Sequence, residues 1–287
     1  MPTFPAADGT RLAYHVRGEG EPLVVLPGGP MRASAYLGDL GGLTSHRRLF
    51  LLDLRGTGDS AVPADPETYR CDRQVDDVEA LRARLGLERT ALLGHSAGGS
   101  LAVLYAARYP HRVSRLVLVT TAVRPLGLRA TADDRLAAAR LRQDEPWFAR
   151  AYPKLVACLA GEGAYEDDIT PFFHGRWDAA AQALAAADAA QTAEEAHDRY
   201  YAGVESAVDP AQLRARLARL TAPVLLLAGS LDGGPRPELA RRTAAAFPRA
   251  EVAVQSGAGH YPWMDDADRF VRRVTAFLDG AAAPSAG

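Results

Sequence analysis

Thr90-Ala91-Leu92-Leu93-Gly94-His95-Ser96-Ala97-Gly98-Gly99 is the stretch that decides the fold. Its opening residues read as a short buried strand, and from Ala97 to Tyr109 apolar residues recur at helical spacing. Between the two the chain must reverse within a residue or two. Ser96 is thereby forced into a strained backbone conformation that lifts its hydroxyl clear of the sheet. The small residues on either side let strand and helix approach without side-chain clash. A serine between strand and helix reads as a nucleophile on a G-x-S-x-G elbow. The same letters without those flanking elements would be an ordinary glycine-rich turn.

A serine needs a base within hydrogen-bond reach, and the base needs an orienting carboxylate. On a strand-to-helix elbow the expected chain order is Ser, then Asp or Glu, then His. Ala222 to Gly229 is an apolar run opened by Pro223 and closed by a glycine, as in a buried parallel strand. Asp232 follows it in a Gly-rich loop. A helix from about Pro237 to Phe247 and the strand Glu251–Val254 come next, and then His260 within Gly257-Ala258-Gly259-His260-Tyr261-Pro262. Ser96, Asp232 and His260 are therefore the expected triad, each just past the C-terminal end of a strand. Asp232 could alternatively be a turn former or helix cap. Asp65, Asp209 and Asp265 are weaker rivals because none directly follows an apolar strand. Among the seven histidines, His46, His111 and His174 read as solvated, and His95 as a residue that packs or hydrogen-bonds inside the elbow.

Acyl transfer also needs donors aimed at the developing oxyanion. One is expected from the backbone N–H of Ala97, the residue after the nucleophile. The other should come from the loop after an earlier strand. Pro22-Leu23-Val24-Val25-Leu26 runs into Pro27-Gly28-Gly29-Pro30, which offers the N–H of Gly29, or with less reason that of Gly28. A simple tight turn is the alternative reading.

Leu26-Pro27-Gly28-Gly29-Pro30, Asp53-Leu54-Arg55-Gly56-Thr57-Gly58-Asp59-Ser60, Gly94-His95-Ser96-Ala97-Gly98-Gly99, Gly229-Ser230-Leu231-Asp232 and Gly259-His260-Tyr261-Pro262 together resemble an α/β-hydrolase. Within that superfamily they are most similar to the proline iminopeptidase branch, in order and spacing from Thr3 to about Leu278. The resemblance implies an α/β fold, a mostly parallel sheet with helices on both faces and a helical cap insertion. It also implies hydrolysis through an acyl-enzyme. The branch usually has His-Gly-Gly-Pro-Gly, where this chain has Pro27 in place of the histidine and Met31 in place of the last glycine. Those departures bear on the peptidase assignment, not on hydrolysis.

The remaining sequence agrees. The 287 residues, 48% of them apolar, suffice for one sizeable core. Cys71 and Cys158 are too few and too far apart for a disulfide framework, and no metal or other cofactor is expected. A formal charge of −2 gives no reason to expect nucleic acid as a partner. No leader-like start and no apolar run of bilayer length are present, so the expectation is a cytoplasmic protein without membrane contact, acting on a small molecule or short peptide. Phe4 to Val16 reads as a hairpin around Asp8-Gly9. Strands Leu23–Leu26, Leu49–Asp53, Ala91–Gly94 and Leu116–Thr120 then alternate with helices near Ser34–Leu43, Cys71–Leu85 and Ala97–Tyr109.

The alternation stops after Thr121. Residues 1–123 and 221–280 are expected to form the core, 124–220 a helical cap over the triad, and 281–287 a flexible tail. In iminopeptidases, acidic cap residues hold the substrate's free amino terminus. Here the cap offers Glu194, Glu195, Asp198 and Glu205, near Trp177, Tyr200 and Tyr201. A solvated helix face would look the same. Trp147, Phe148, Phe172, Phe173 and Trp177 could instead line an ester or lactone pocket. An ester or thioester hydrolase and a catalytically silent ligand receptor are thus the other function classes.

Overall fold

The computed structural model describes residues 1–163 and 167–280; the expected tail at 281–287 lies outside the described residues. Eight strands form one sheet in the order β1-β2-β4-β3-β5-β6-β7-β8. They are β1 (Thr3–Pro5), β2 (Arg11–Arg17), β3 (Pro22–Leu26), β4 (Arg48–Asp53), β5 (Thr90–His95), β6 (Val113–Val119), β7 (Val224–Gly229) and β8 (Ala250–Gln255). β2 runs antiparallel to β1 and β4, and every other pairing is parallel. The expected N-terminal hairpin is therefore present.

The central strands are apolar almost throughout because both faces are covered. Val24, Leu26, Leu92, Leu118 and Leu226 face one core, which is completed by α1 (Val75–Arg84) and α2 (Ala97–Arg108). Their neighbours Leu23, Val25, Leu93, Val119 and Leu227 face the other, filled by Trp263, Phe270, Val274 and Phe277. The period-two alternation of a strand thus divides one apolar run between two cores.

Between β6 and β7 the described residues contain helices and no named strand. These are α3 (Ala132–Arg140), α4 (Phe148–Ala160), α5 (Ala179–Ala186), α6 (Asp188–Gln191), α7 (Glu194–Tyr200), α8 (Val204–Ala207) and α9 (Pro210–Leu217). After β7 come α10 (Pro237–Ala244), α11 (Pro262–Asp265) and α12 (Ala267–Asp279). Main-chain hydrogen bonds join the helical stretch to the loops at the strand ends. Ala33 N–H donates to Gln191 O, Ala193 N–H to Met31 O, Gly233 N–H to Phe172 O, and His260 N–H to Phe173 O.

The helix expected near Ser34–Leu43 is instead a pair of short 3₁₀ turns, Ser34–Leu37 and Leu43–Ser45. Gly38, Leu40, Gly41 and Gly42 between them all have positive φ, which breaks helical winding. The helix expected from Cys71 begins only at Val75.

The glycines at the elbow answer to contact rather than to φ alone. A Cβ on Gly98 would lie 2.4 Å from both the Leu26 and Pro27 carbonyl oxygens, which are main chain and cannot rotate away. Gly98→Ala sets overpacking of about 3 kcal/mol against a helix-propensity gain of about 1 kcal/mol. A net loss of about 2 kcal/mol is expected, read as a lower denaturant midpoint at unchanged m-value.

Candidate active site

Ser96 sits between the end of β5 and the first turn of α2 with φ 51° and ψ −119°. Such a backbone in a non-glycine residue costs of order 1–3 kcal/mol and persists only where neighbours fix it. Here they do. Ser96 N–H donates to Val119 O at 3.0 Å, and Ser96 O accepts from Gly99 N–H at 3.0 Å and Ala122 N–H at 3.1 Å.

Asp232, in the loop after β7, is buried, and its Oδ2 lies 2.8 Å from Nδ1 of His260, which follows β8. Its Oδ1 accepts from Gly234 N–H at 2.7 Å, so the carboxylate is held at both oxygens. Among the described residues no direct hydrogen bond joins the Ser96 hydroxyl to the His260 ring. Catalytic contacts are often loose without substrate. The two residues are linked through His95, whose Nε2 lies 2.9 Å from His260 O. Thr120 Oγ1 donates to the same carbonyl oxygen at 2.9 Å. The rival acids sit elsewhere. Asp65 and Asp209 cap short helices. Asp265 accepts from the backbone N–H groups of Gly175, Arg176 and Gly259, clamping the loop ahead of His260.

In the loop after β3, Gly28 N–H donates to Tyr36 Oη at 2.7 Å and is therefore engaged. Gly29 has φ +116°, and a Cβ there would meet Arg32 N at 2.7 Å, so only glycine fits. Among the described residues neither the Gly29 nor the Ala97 amide has an acceptor, Ala97 being the first residue of α2.

Arg32 is a residue that sequence reasoning missed. It is 2% exposed, and its guanidinium bonds Asp188 at 2.7 Å, Gln191 Oε1 at 2.9 Å and Leu184 O at 2.9 Å, all from the helical stretch. It also lies 4.7 Å from the Tyr36 ring centroid. His174, expected to be solvated, is buried and stacks on Tyr261 at 4.9 Å; burial pushes its imidazole down to about 4. Burial also drives the His95 imidazole well below its usual range, with His260 adding to the effect, so His95 is neutral.

The expected substrate-binding acids Glu194, Glu195 and Glu205 are all exposed. Glu194 and Glu195 are exposed at the start of α7, and Glu195 pairs with Arg199 at 3.3 Å. Glu205 is exposed and paired with Arg129. Trp177 packs on His174 at 5.1 Å and lines a surface cleft of about 570 Å3 with Glu145, Pro146, Trp147 and Arg150. That cleft contains neither Ser96 nor His260. The one group with metal-ligand spacing among the described residues is His15, Asp53 and Asp59. Asp53 already accepts from Ser34 N–H, Ser34 Oγ, Asp59 N–H and His15, so its oxygens are used within the fold. No helix among the described residues is long and apolar enough to cross a membrane.

A strained serine at a strand–helix turn, beside a buried Asp–His pair on the neighbouring strand ends, is the layout of an α/β-hydrolase. The family described by its alpha/beta hydrolase fold matches residues 21–267, and this chain belongs to it. Among curated relatives, it is 40% identical over 109 residues to the proline iminopeptidase of Lactobacillus helveticus (strain DPC 4571), a match spanning 37% of each chain. It is 29% identical over 289 residues to the N-formylmaleamate deformylase of Pseudomonas putida, covering 97% of this chain and 98% of that one. Among solved structures, the esterase RhEst1 from Rhodococcus sp. superposes with a TM-score of 0.71 at 25% identity, over 98% of this chain and 99% of that chain.

Proposed function

We propose that this chain is a serine hydrolase that cleaves small carboxylic acyl compounds, chiefly esters, lactones or N-acyl amides that carry no free ammonium group. The reading rests on the Asp232–His260 contact of 2.8 Å at the ends of adjacent strands, opposite the strained Ser96. In it, His260 takes the Ser96 proton as Oγ attacks the substrate carbonyl, and Asp232 holds the proton-bearing Nδ1. The Gly29 and Ala97 amides receive the oxyanion. The tetrahedral intermediate collapses with proton transfer from His260 to the leaving oxygen or nitrogen. Water, deprotonated by His260, then releases the acid and restores Ser96.

Absence of a free amine is favoured by the state of the acids that would bind it. Glu195 and Glu205 are already paired with arginines, and Glu194 is exposed. The relative matched along its whole length is named for removing a formyl group from nitrogen, an acyl cleavage of this kind. The second reading, release of an N-terminal proline, is supported by the 40% identity to an iminopeptidase over 109 residues. We further propose that the segment 124–220 forms a cap that shapes the acyl pocket.

A substrate comparison separates the two readings. Purified protein should turn over p-nitrophenyl acetate and butyrate, with Ser96→Ala as the blank. On kcat/KM it should prefer them at least tenfold over prolyl p-nitroanilide. The reverse preference would establish the aminopeptidase.

A further inference from the structure

We propose that Tyr36 and His95 are positioning residues that lock the oxyanion loop to the general-base loop through a single directed chain of hydrogen bonds. The proposal rests on the serine-hydrolase reading above. Its parts are Gly28 N–H to Tyr36 Oη at 2.7 Å, Tyr36 Oη to His95 Nδ1 at 2.6 Å, and His95 Nε2 to His260 O at 2.9 Å.

The direction of every bond follows from its ends. An amide N–H only donates, so the Gly28 N–H gives its proton to the Tyr36 oxygen. A carbonyl only accepts, so His95 Nε2 carries the proton donated to His260 O. Neutral His95 then has a bare Nδ1, and the Tyr36 hydroxyl must donate to it. No second arrangement satisfies the chain.

Each link lies beside a group with a catalytic assignment. Gly28 precedes Gly29, His95 precedes Ser96, and His260 is the base itself. The contacts span 59 residues between Tyr36 and His95, and 165 between His95 and His260. The chain thus ties side chains across loops whose main chains the β3–β5 pairing and the Thr120 bond to His260 O already bring close. A residue that merely fills the core would do better as an apolar side chain, since an imidazole at 1% exposure is stabilising only when both nitrogens are bonded. Packing leaves the ring little freedom. His95 lies 4.8 Å from Trp263 and 4.9 Å from His260 between ring centroids. Tyr36 is backed by the Arg32 guanidinium.

Misplacing reacting groups by about 1 Å costs on the order of a hundredfold in rate. Loss of the chain should therefore appear in kcat rather than in substrate binding. Tyr36→Phe and His95→Leu are each expected to lower kcat about 10- to 100-fold with KM within about twofold. His95→Gln, whose amide offers an NH2 donor group and a carbonyl acceptor, should retain kcat within about threefold. Rates of the parent and of the Tyr36 and His95 variants are expressed per site labelled by a fluorophosphonate, which removes any unfolded fraction, and Ser96→Ala is run alongside at equal protein concentration. If Tyr36→Phe keeps the parent kcat per labelled site, or if His95→Gln falls as far as His95→Leu, the positioning role is overturned while the hydrolase reading stands. Should His95→Leu fail to fold, Tyr36→Phe and His95→Gln decide the matter. Activity undiminished in Ser96→Ala would instead bring down the hydrolase reading, and this proposal with it.

Discussion

Ser96→Ala is expected to lower kcat/KM by about 10⁴-fold or more, because triad members act as a unit and the loss of one removes most of what all supply. Two hydroxyls near the elbow are already engaged. Ser100 Oγ donates to Ala122 O at 2.8 Å, and Thr120 Oγ1 donates to His260 O at 2.9 Å. What remains should be the modest acceleration from oxyanion donors and substrate binding. The comparison with Ser96→Gly adds a readout of backbone strain. At φ 51° alanine keeps the strain that glycine does not feel, so Ser96→Gly should melt above Ser96→Ala by the equivalent of about 1 kcal/mol. Steady-state kinetics on the ester substrates and paired thermal melts check both expectations. A loss under tenfold would remove Ser96 from the nucleophile's role.

Asp232→Asn should lower kcat by about 10⁴-fold with little change in melting temperature, since the substitution is nearly isosteric. The reason is the proton inventory at His260. Asn Oδ1 can still accept from Gly234 N–H, as Asp232 Oδ1 does at 2.7 Å. That turns the amide NH2 toward His260 Nδ1, where Asp232 Oδ2 now sits at 2.8 Å. A donor in that position demands a bare Nδ1, and the proton moves to Nε2. An imidazole protonated at Nε2 cannot take the proton of Ser96. Kinetics on the ester substrates, with the imidazole tautomer read from ¹⁵N shifts, would test the inversion. A variant retaining more than a tenth of parental kcat would show that Asp232 does not govern the tautomer.

Much of the fold was legible because the information is local. Leu23–Leu26 and Val224–Gly229 are apolar on both faces, and Gly94, Gly98 and Gly99 mark a close crossing of strand and helix. Asp232 could be placed because it follows such a strand, and His260 because it follows the later strand Ala250–Gln255. The misreadings share a different cause. Ser34–Leu43 carries a plausible helical pattern, and the glycines that break it lie inside the pattern instead of bounding it. His174 was read as solvated although Phe172, Phe173 and Trp177 flank it, and it is buried against Tyr261, a neighbour 87 positions away. Glu194 and Glu195 presented the same letters whether solvated or binding. Arg32 and Tyr36 were invisible because their partners are fixed only by tertiary packing, across 159 residues in the case of Arg32 and Gln191.

The seams between the helical stretch and the strand-end loops are made by main chain: Ala33 to Gln191, Ala193 to Met31, Gly233 to Phe172 and His260 to Phe173. Amides and carbonyls are the same whatever side chain they carry. If the proposed cap role holds, substitutions along these helices would remodel what meets the substrate while the seams go on holding the loops in register. A scaffold fastened this way can change its diet by point mutation, without rebuilding its chemistry.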